Sequence, residues 1–134
     1  MENKTYTATL KNSDNGYMFL TMDVNYFNEE TSLQDAQKAV GGYIENLYWP
    51  KLDKMDIVAY CNEEGKYKGL PPTLNIYENN KRIDVVVGNI FFESFNRNTG
   101  DPKGLNKEQV EYLINSFNEV VGINYIDCGQ DFKD

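Results

Sequence analysis

The chain has 134 residues, with 21 acidic against 13 basic side chains, a formal net charge of −8 and no histidine. That length suits one domain with a core that needs no covalent staple, and no apolar run approaches the roughly 20 residues that span a bilayer. The negative charge disfavours direct nucleic-acid binding, and the lack of histidine excludes Ser–His and Cys–His catalysis along with the commonest metal ligand.

The N-terminal residues Met1-Glu2-Asn3-Lys4-Thr5 carry neither the basic nor the apolar region of a secretory signal, so the expected location is the cytoplasm. Thr5 to Lys11 is rich in β-branched and aromatic residues, and Ser13-Asp14-Asn15-Gly16 tolerates positive φ. A hairpin is expected over residues 1–26. Its second arm places Met18, Leu20, Met22 and Val24 on one face, and Phe19 on the other signals either a bulge or a sheet covered on both sides.

Thr31 or Ser32 caps a short helix, with Gln34 or Asp35 positioned to reach back and Leu33, Ala36 and Val40 on one face; Gly41-Gly42 stops it. Strands are expected from Tyr43 to Trp49, ended by Pro50, and from near Met55 through Ile57-Val58-Ala59-Tyr60-Cys61 to a turn at Asn62-Glu63-Glu64-Gly65. After Pro71-Pro72 the chain leaves the ladder, since proline lacks the donor, and Thr73 to Glu78 reads as one or two helical turns ended by Asn79-Asn80. Asp84 to Phe95 is the most hydrophobic stretch, expected as a central strand or a strand pair bent at Gly88. A polar loop leads to Asn106, which caps a helix with Gln109 three residues on and Val110, Leu113, Ile114, Phe117 and Val121 on one face, stopped by Gly122. Ile123 to Cys128 suits a last edge strand, and 129–134 a frayed tail. The fold class is therefore α+β: a small mixed or antiparallel sheet with an N-terminal hairpin and two main helices packed on it.

Cys61 and Cys128 are too few for a disulfide scaffold and are expected as free thiols. No metal-ligand spacing, phosphate loop or cofactor motif occurs, so neither a metal nor a cofactor is expected. A catalytic carboxylate pair, such as Glu45 with Asp84 or Glu93, depends on tertiary structure. Binding has more support. Arg82 and Arg97 are the only arginines and lie beside turn residues, where a planar fork meets phosphate or carboxylate. Asn62 and Lys66 flank a turn that presents backbone donors. Tyr43, Trp49 and Tyr60 supply faces for stacking a base-like ring.

The motifs Val40-Gly41-Gly42-Tyr43-Ile44-Glu45, Asn62-Glu63-Glu64-Gly65-Lys66, Gly69-Leu70-Pro71 and Gly88-Asn89, then Leu105 and the Gln109-Val110 helix, occur in order. In this the chain resembles a family of small phage- and plasmid-borne domains of unknown function over 31–121. The family pattern has an Asn soon after Gly-Leu-Pro; here Pro72-Thr73-Leu74 intervenes and Asn75 is the nearest. The resemblance implies a compact α+β domain carried by mobile elements. By analogy with small acidic phage inhibitors of bacterial immunity, it leads to a sponge that sequesters a cyclic nucleotide or cyclic ADP-ribose-like messenger without cleaving it.

The ligand-binding residues expected on that reading are Tyr43, Trp49, Asn62, Lys66, Arg82, Asn89 and Arg97, in a homo-oligomer with Trp49 as a contact residue. Two other readings stand beside it: an acidic protein-binding inhibitor or DNA mimic, and a small carboxylate enzyme.

Overall fold

Strands β1 (Tyr6–Asn12) and β2 (Leu20–Tyr26) form the expected hairpin, paired from Tyr6↔Tyr26 to Asn12↔Leu20. The structure, a computed structural model, describes residues 4–12, 20–117 and 121–125. Met18 and Phe19 therefore lie outside the described residues, as do Cys128 and the tail at 129–134.

A 3-10 turn (Glu29–Thr31) leads into helix α1 (Ser32–Val40). Then follow β3 (Ile44–Asn46), the short helix α2 (Pro50–Asp53) and β4 (Ile57–Asn62). Strands β5 (Pro72–Glu78) and β6 (Lys81–Val87) pair as a separate hairpin. The chain continues through β7 (Ile90–Phe95), β8 (Pro102–Lys103), helix α3 (Lys107–Phe117) and β9 (Val121–Tyr125). The main sheet runs β3-β4-β7-β1-β2-β9, with β8 beside β7. All pairings are antiparallel except β2 with β9, so the sheet is mixed and the fold is α+β.

Alternation along the strands creates two unlike faces. Leu10, Met22, Val24, Ile57, Ile90 and Phe92 form the floor of the main core, roofed by Leu52 of α2, Val110 and Leu113 of α3, and Ile76 and Val86 of the hairpin. The opposite face meets α1, where Ala36 and Val40 pack on Phe91, flanked by Ile44 and Tyr60. The sheet is thus covered on both sides. Beyond that small apolar contact the second face is polar yet buried: Thr7, Thr9, Asp23 and Glu93 are each no more than 5% exposed.

Several expectations are corrected. Thr73 to Glu78 is strand, not helix: Thr73 and Ile76 are buried while Asn75 and Tyr77 face solvent, and Asn79 (φ 52°) and Asn80 (φ 63°) form the two-residue turn of a hairpin. Two consecutive positive-φ residues are what a type I′ hairpin turn needs, and asparagine tolerates them. The strand expected from Tyr43 to Trp49 covers only Ile44–Asn46, and Pro50 begins α2 rather than merely ending a strand. Asp84 to Phe95 is divided between two sheets at Gly88 (φ 74°), whose N–H donates to Pro71 O at 2.8 Å. Leu33 is 52% exposed, outside the buried stripe of α1. The last helix is described over Lys107–Phe117, and Val121 and Gly122 belong not to it but to β9, pairing with Leu20 and Thr21.

The C-cap of α1 and the N-cap of α3 follow their sequences closely, whereas Thr31 at the N-cap of α1 makes no side-chain bond to the helix backbone. Gly41 closes α1 in the left-handed conformation (φ 79°), its N–H donating to Gln37 O at 2.8 Å. Asp35 reaches Thr31 through the hydroxyl, which donates to its carboxylate at 2.8 Å. Asn106 and Gln109 make a reciprocal capping box: Gln109 N donates to Asn106 Oδ1 at 2.8 Å and Asn106 N to Gln109 Oε1 at 2.9 Å.

Candidate functional site

The spaced motifs converge on the C-terminus of α1. A helix end leaves carbonyls without intrahelical donors, and two asparagine side chains distant in sequence, one at the end of β4 and one between β6 and β7, supply them. Asn62 Nδ2 donates to Val40 O at 3.1 Å and Asn89 Nδ2 to Ala39 O at 3.1 Å. Each amide oxygen is also used, by Glu64 N at 2.8 Å and Asn12 N at 3.1 Å respectively. Glu63 N closes the same corner onto Tyr43 O at 2.9 Å. Close packing explains part of the glycine pattern, since a Cβ on Gly42 would lie 2.9 Å from the Asn62 amide and one on Gly88 would lie 2.8 Å from the Leu70 side chain. Asn62 and Asn89 therefore fasten α1 to the sheet.

The other expected ligand residues are dispersed. Tyr43 is 71% exposed at the start of β3 and lines a small hollow with Asn62 and Lys68. Lys66 meets Asp84 at 3.3 Å. Arg82 is the second residue of β6 in the separate hairpin, opposite Tyr77. Arg97 is committed to acids: it contacts Asp56 Oδ1 at 2.8 Å and Asp53 Oδ2 at 3.6 Å, and these partners raise its already high pKa. Trp49 packs inward, 6.1 Å from both the Phe92 and Phe117 ring centroids, which makes it a core residue with one edge open.

That open edge belongs to a cleft of about 560 Å³ at the outer side of β4. Tyr48, Trp49, Tyr60 and Phe95 give it aromatic walls, with Asn46, Asp53 and Lys54 as polar groups. Tyr48 is 68% exposed. Its position follows from the short β3: the chain leaves the ladder after Leu47 N bonds Ala59 O at 2.9 Å, so Tyr48 and Trp49 turn across the edge of β4 before Pro50 starts α2. Tyr48, Lys54 and Phe95 were not legible as site residues, because only this turn brings 46–54 beside 95.

Beneath Tyr60, on the α1 side, lies Glu93. It is 3% exposed, yet its Oε2 has no hydrogen-bond partner. Burial pushes its pKa up from 4.5 to about 7; the Tyr60 hydroxyl, donating to the carboxylate, opposes the shift, and Asp35 adds to it. Tyr60 is itself raised to about 12, by burial first and then by the neighbouring Glu93 charge. The sequence signal was a carboxylate inside the most apolar strand, between Phe92 and Ser94. Glu45 pairs with Cys61 across β3 and β4, whereas Glu93 pairs with Val58, one strand position out of phase. Glu45 and Glu93 thus lie on opposite faces of the sheet, which rules out that pair. Cys61 is free and its thiol is raised to about 11 by burial, then by Glu45 and Asp84.

Fold and clefts define a small α+β domain with a mixed sheet, helices on both faces and concave sites on either side of β7. The chain belongs to the family described as Domain of unknown function (DUF3846), whose model matches residues 19–118. That match takes in β2, which the spaced motifs leave outside. No curated protein and no solved structure matches the chain. No helix among the described residues is long and apolar enough to cross a membrane.

Proposed function

We propose that this protein is a phage-type anti-defence sponge, which binds a nucleotide-derived immune messenger, a cyclic nucleotide or cyclic ADP-ribose-like molecule, and holds it without cleavage. The observation that carries this reading is the aromatic cleft. Its volume of about 560 Å³ suits a nucleotide-sized ligand, and Tyr48 and Tyr60 offer faces for a base beside the open edge of Trp49, while Lys54 offers a cation. In this reading Tyr48 takes the stacking place expected of Tyr43, and Trp49 contributes the edge it leaves open to the cleft. With no histidine in the chain, the commonest general base for turnover is missing.

Self-association belongs to the same proposal. Tyr43, Tyr48, Tyr67 and Tyr77 are all at least 60% exposed, and such side chains suit subunit contacts. Trp49, held against Phe92 and Phe117, is not the contact residue in this reading.

The test is a panel of cyclic mono-, di- and trinucleotides and cyclic ADP-ribose isomers, mixed with the protein, separated from free ligand, and recovered after heat denaturation. Intact ligand recovered from wild type and lost with Tyr48→Ala supports the sponge; no binding by any member overturns it. Glu93, buried with a pKa near neutrality, favours a carboxylate-dependent enzyme as the second reading. A cleaved product that disappears with Glu93→Gln would establish that reading instead.

A further inference from the structure

The second face of the sheet holds another cleft, of about 510 Å³, between α1 and strands β1 and β2. Its floor is unusual for a sheet under a helix. Thr7, Thr9 and Asp23 line it and are each 5% exposed or less, with Asn25 beside them and Asp35 and Lys38 on the α1 wall. Desolvating hydroxyls and carboxylates costs free energy unless they are hydrogen-bonded, so a structural floor at this position is normally apolar. Asp23 is neutralised by Lys11 Nζ at 2.5 Å.

Glu93 is not neutralised. Thr9 pairs with Phe91, and two residues onward on each strand, on the same face, come Thr7 and Glu93. Asp35 is near enough for its charge to act on the Glu93 carboxyl. Glu93 does not itself line the cleft but lies directly behind its wall: its cross-strand neighbour Thr7 and the nearby Asp35 of α1 are lining residues, and Tyr60 stands on its other side. Of the charged residues around the cleft, Asp35 is an acid and Lys11 is paired with Asp23.

 Lys38 is exposed on α1, and no described cation reaches Oε2.

We propose that this polar cleft is a second binding site, for a small organic cation carrying a guanidinium or primary ammonium group, which enters past Thr7 and Asp35 so that its N–H donors reach the buried Glu93 carboxylate behind them. An orphaned oxygen on a buried carboxylate is rare, and its missing partner is a hydrogen-bond donor. A cationic donor supplies the hydrogen bond and also offsets the charge that burial penalises, which a neutral donor cannot do. The hydroxyls of Thr7 and Thr9 and the Asp35 carboxylate suit the remaining N–H groups, and the protein's charge of −8 favours the approach of cations. The site meets the aromatic cleft at Tyr60, which lines that cleft and bonds Glu93, but it does not depend on the messenger reading.

The probe is agmatine, which carries a guanidinium at one end and an ammonium at the other, titrated calorimetrically into the full-length protein at pH 7 in buffers of different ionisation enthalpy. Cation binding drives Glu93 to its charged form, so about half a proton is released per ligand for a group titrating near the working pH. The titratable groups facing Glu93 are Tyr60 from β4 and Asp35 from α1. Glu93→Gln is expected to weaken binding at least tenfold and abolish the proton release, with circular dichroism unchanged. Asp35→Asn, on the helix wall, is expected to weaken binding severalfold while keeping the release, and Tyr48→Ala is expected to leave both unchanged. The proposal is overturned if agmatine and spermidine both fail to bind at millimolar concentration, if Glu93→Gln binds as wild type does, or if a crystal grown with agmatine shows only an ordered water at Oε2.

Discussion

Replacing Glu93 by glutamine should make the protein more stable at high pH, against the general rule that core substitutions destabilise. In the folded protein the carboxyl titrates near 7, against 4.5 for the unperturbed group, because it is buried with one oxygen unpartnered. Between those values the native state binds more protons than the unfolded chain, so stability falls as pH rises through the window and levels off above the folded pKa. At 1.36 kcal/mol per unit the full shift corresponds to roughly 3 kcal/mol, an upper figure for a group that relaxation and water partly relieve. For a chain of this length that is a fall in Tm of roughly 10 °C.

Glutamine keeps the shape and an acceptor for the Tyr60 hydroxyl but cannot ionise. The assay is urea unfolding of both proteins at half-unit intervals from pH 5 to pH 8. Other carboxylates titrate alike in both, so the difference curve isolates Glu93. It should lie near its minimum at pH 5 and climb by about 2–3 kcal/mol in favour of Glu93→Gln by pH 8. Parallel curves would refute the assignment of a near-neutral pKa to this group.

Asn62→Ala removes the donor to Val40 O and the acceptor for Glu64 N inside a buried corner, and urea unfolding should show a loss of about 2 kcal/mol. Gly104→Ala would drive a methyl into the Thr5 side chain and to 2.7 Å from Phe27 Cβ, and the same measurement should show a loss of about 2 kcal/mol or more. Trp49→Ala should cost about 3 kcal/mol by opening the core beside Phe92 and Phe117, whereas Tyr48→Ala, on the same cleft, should stay within about 0.5 kcal/mol. If the exposed tyrosines form a subunit contact, light scattering at micromolar concentration should give a mass above 15.5 kDa; a mass of 15.5 kDa throughout would refute self-association.

Local chemistry alone made the caps legible. The Asn106 to Gln109 spacing and the Gly41-Gly42 stop act within a few residues, so their hydrogen bonds follow from chain geometry before any tertiary contact forms. The N-terminal hairpin was equally visible, because alternation and turn residues are local signals. Thr73 to Glu78 was misread because two prolines precede it, although its alternation and the Asn79-Asn80 pair already favoured a hairpin. Where Val121 belongs was not a local question: its spacing continues the apolar stripe of α3, and pairing with Leu20 instead requires β2 to be in place.

The sites depended most on tertiary structure. Asn62 and Asn89 read as loop residues open to a ligand, and only the docking of α1 turns their amides toward Ala39 O and Val40 O. Tyr48, Tyr60 and Phe95 meet because β4 and β7 are neighbours and the chain crosses the edge of β4 at residues 46–50. A carboxylate in an apolar strand can be seen in the sequence at Glu93. That one of its oxygens is buried without a partner is decided by what α1 and β4 bring over it, because desolvation depends on every surrounding element and not on the residue's neighbours in the chain.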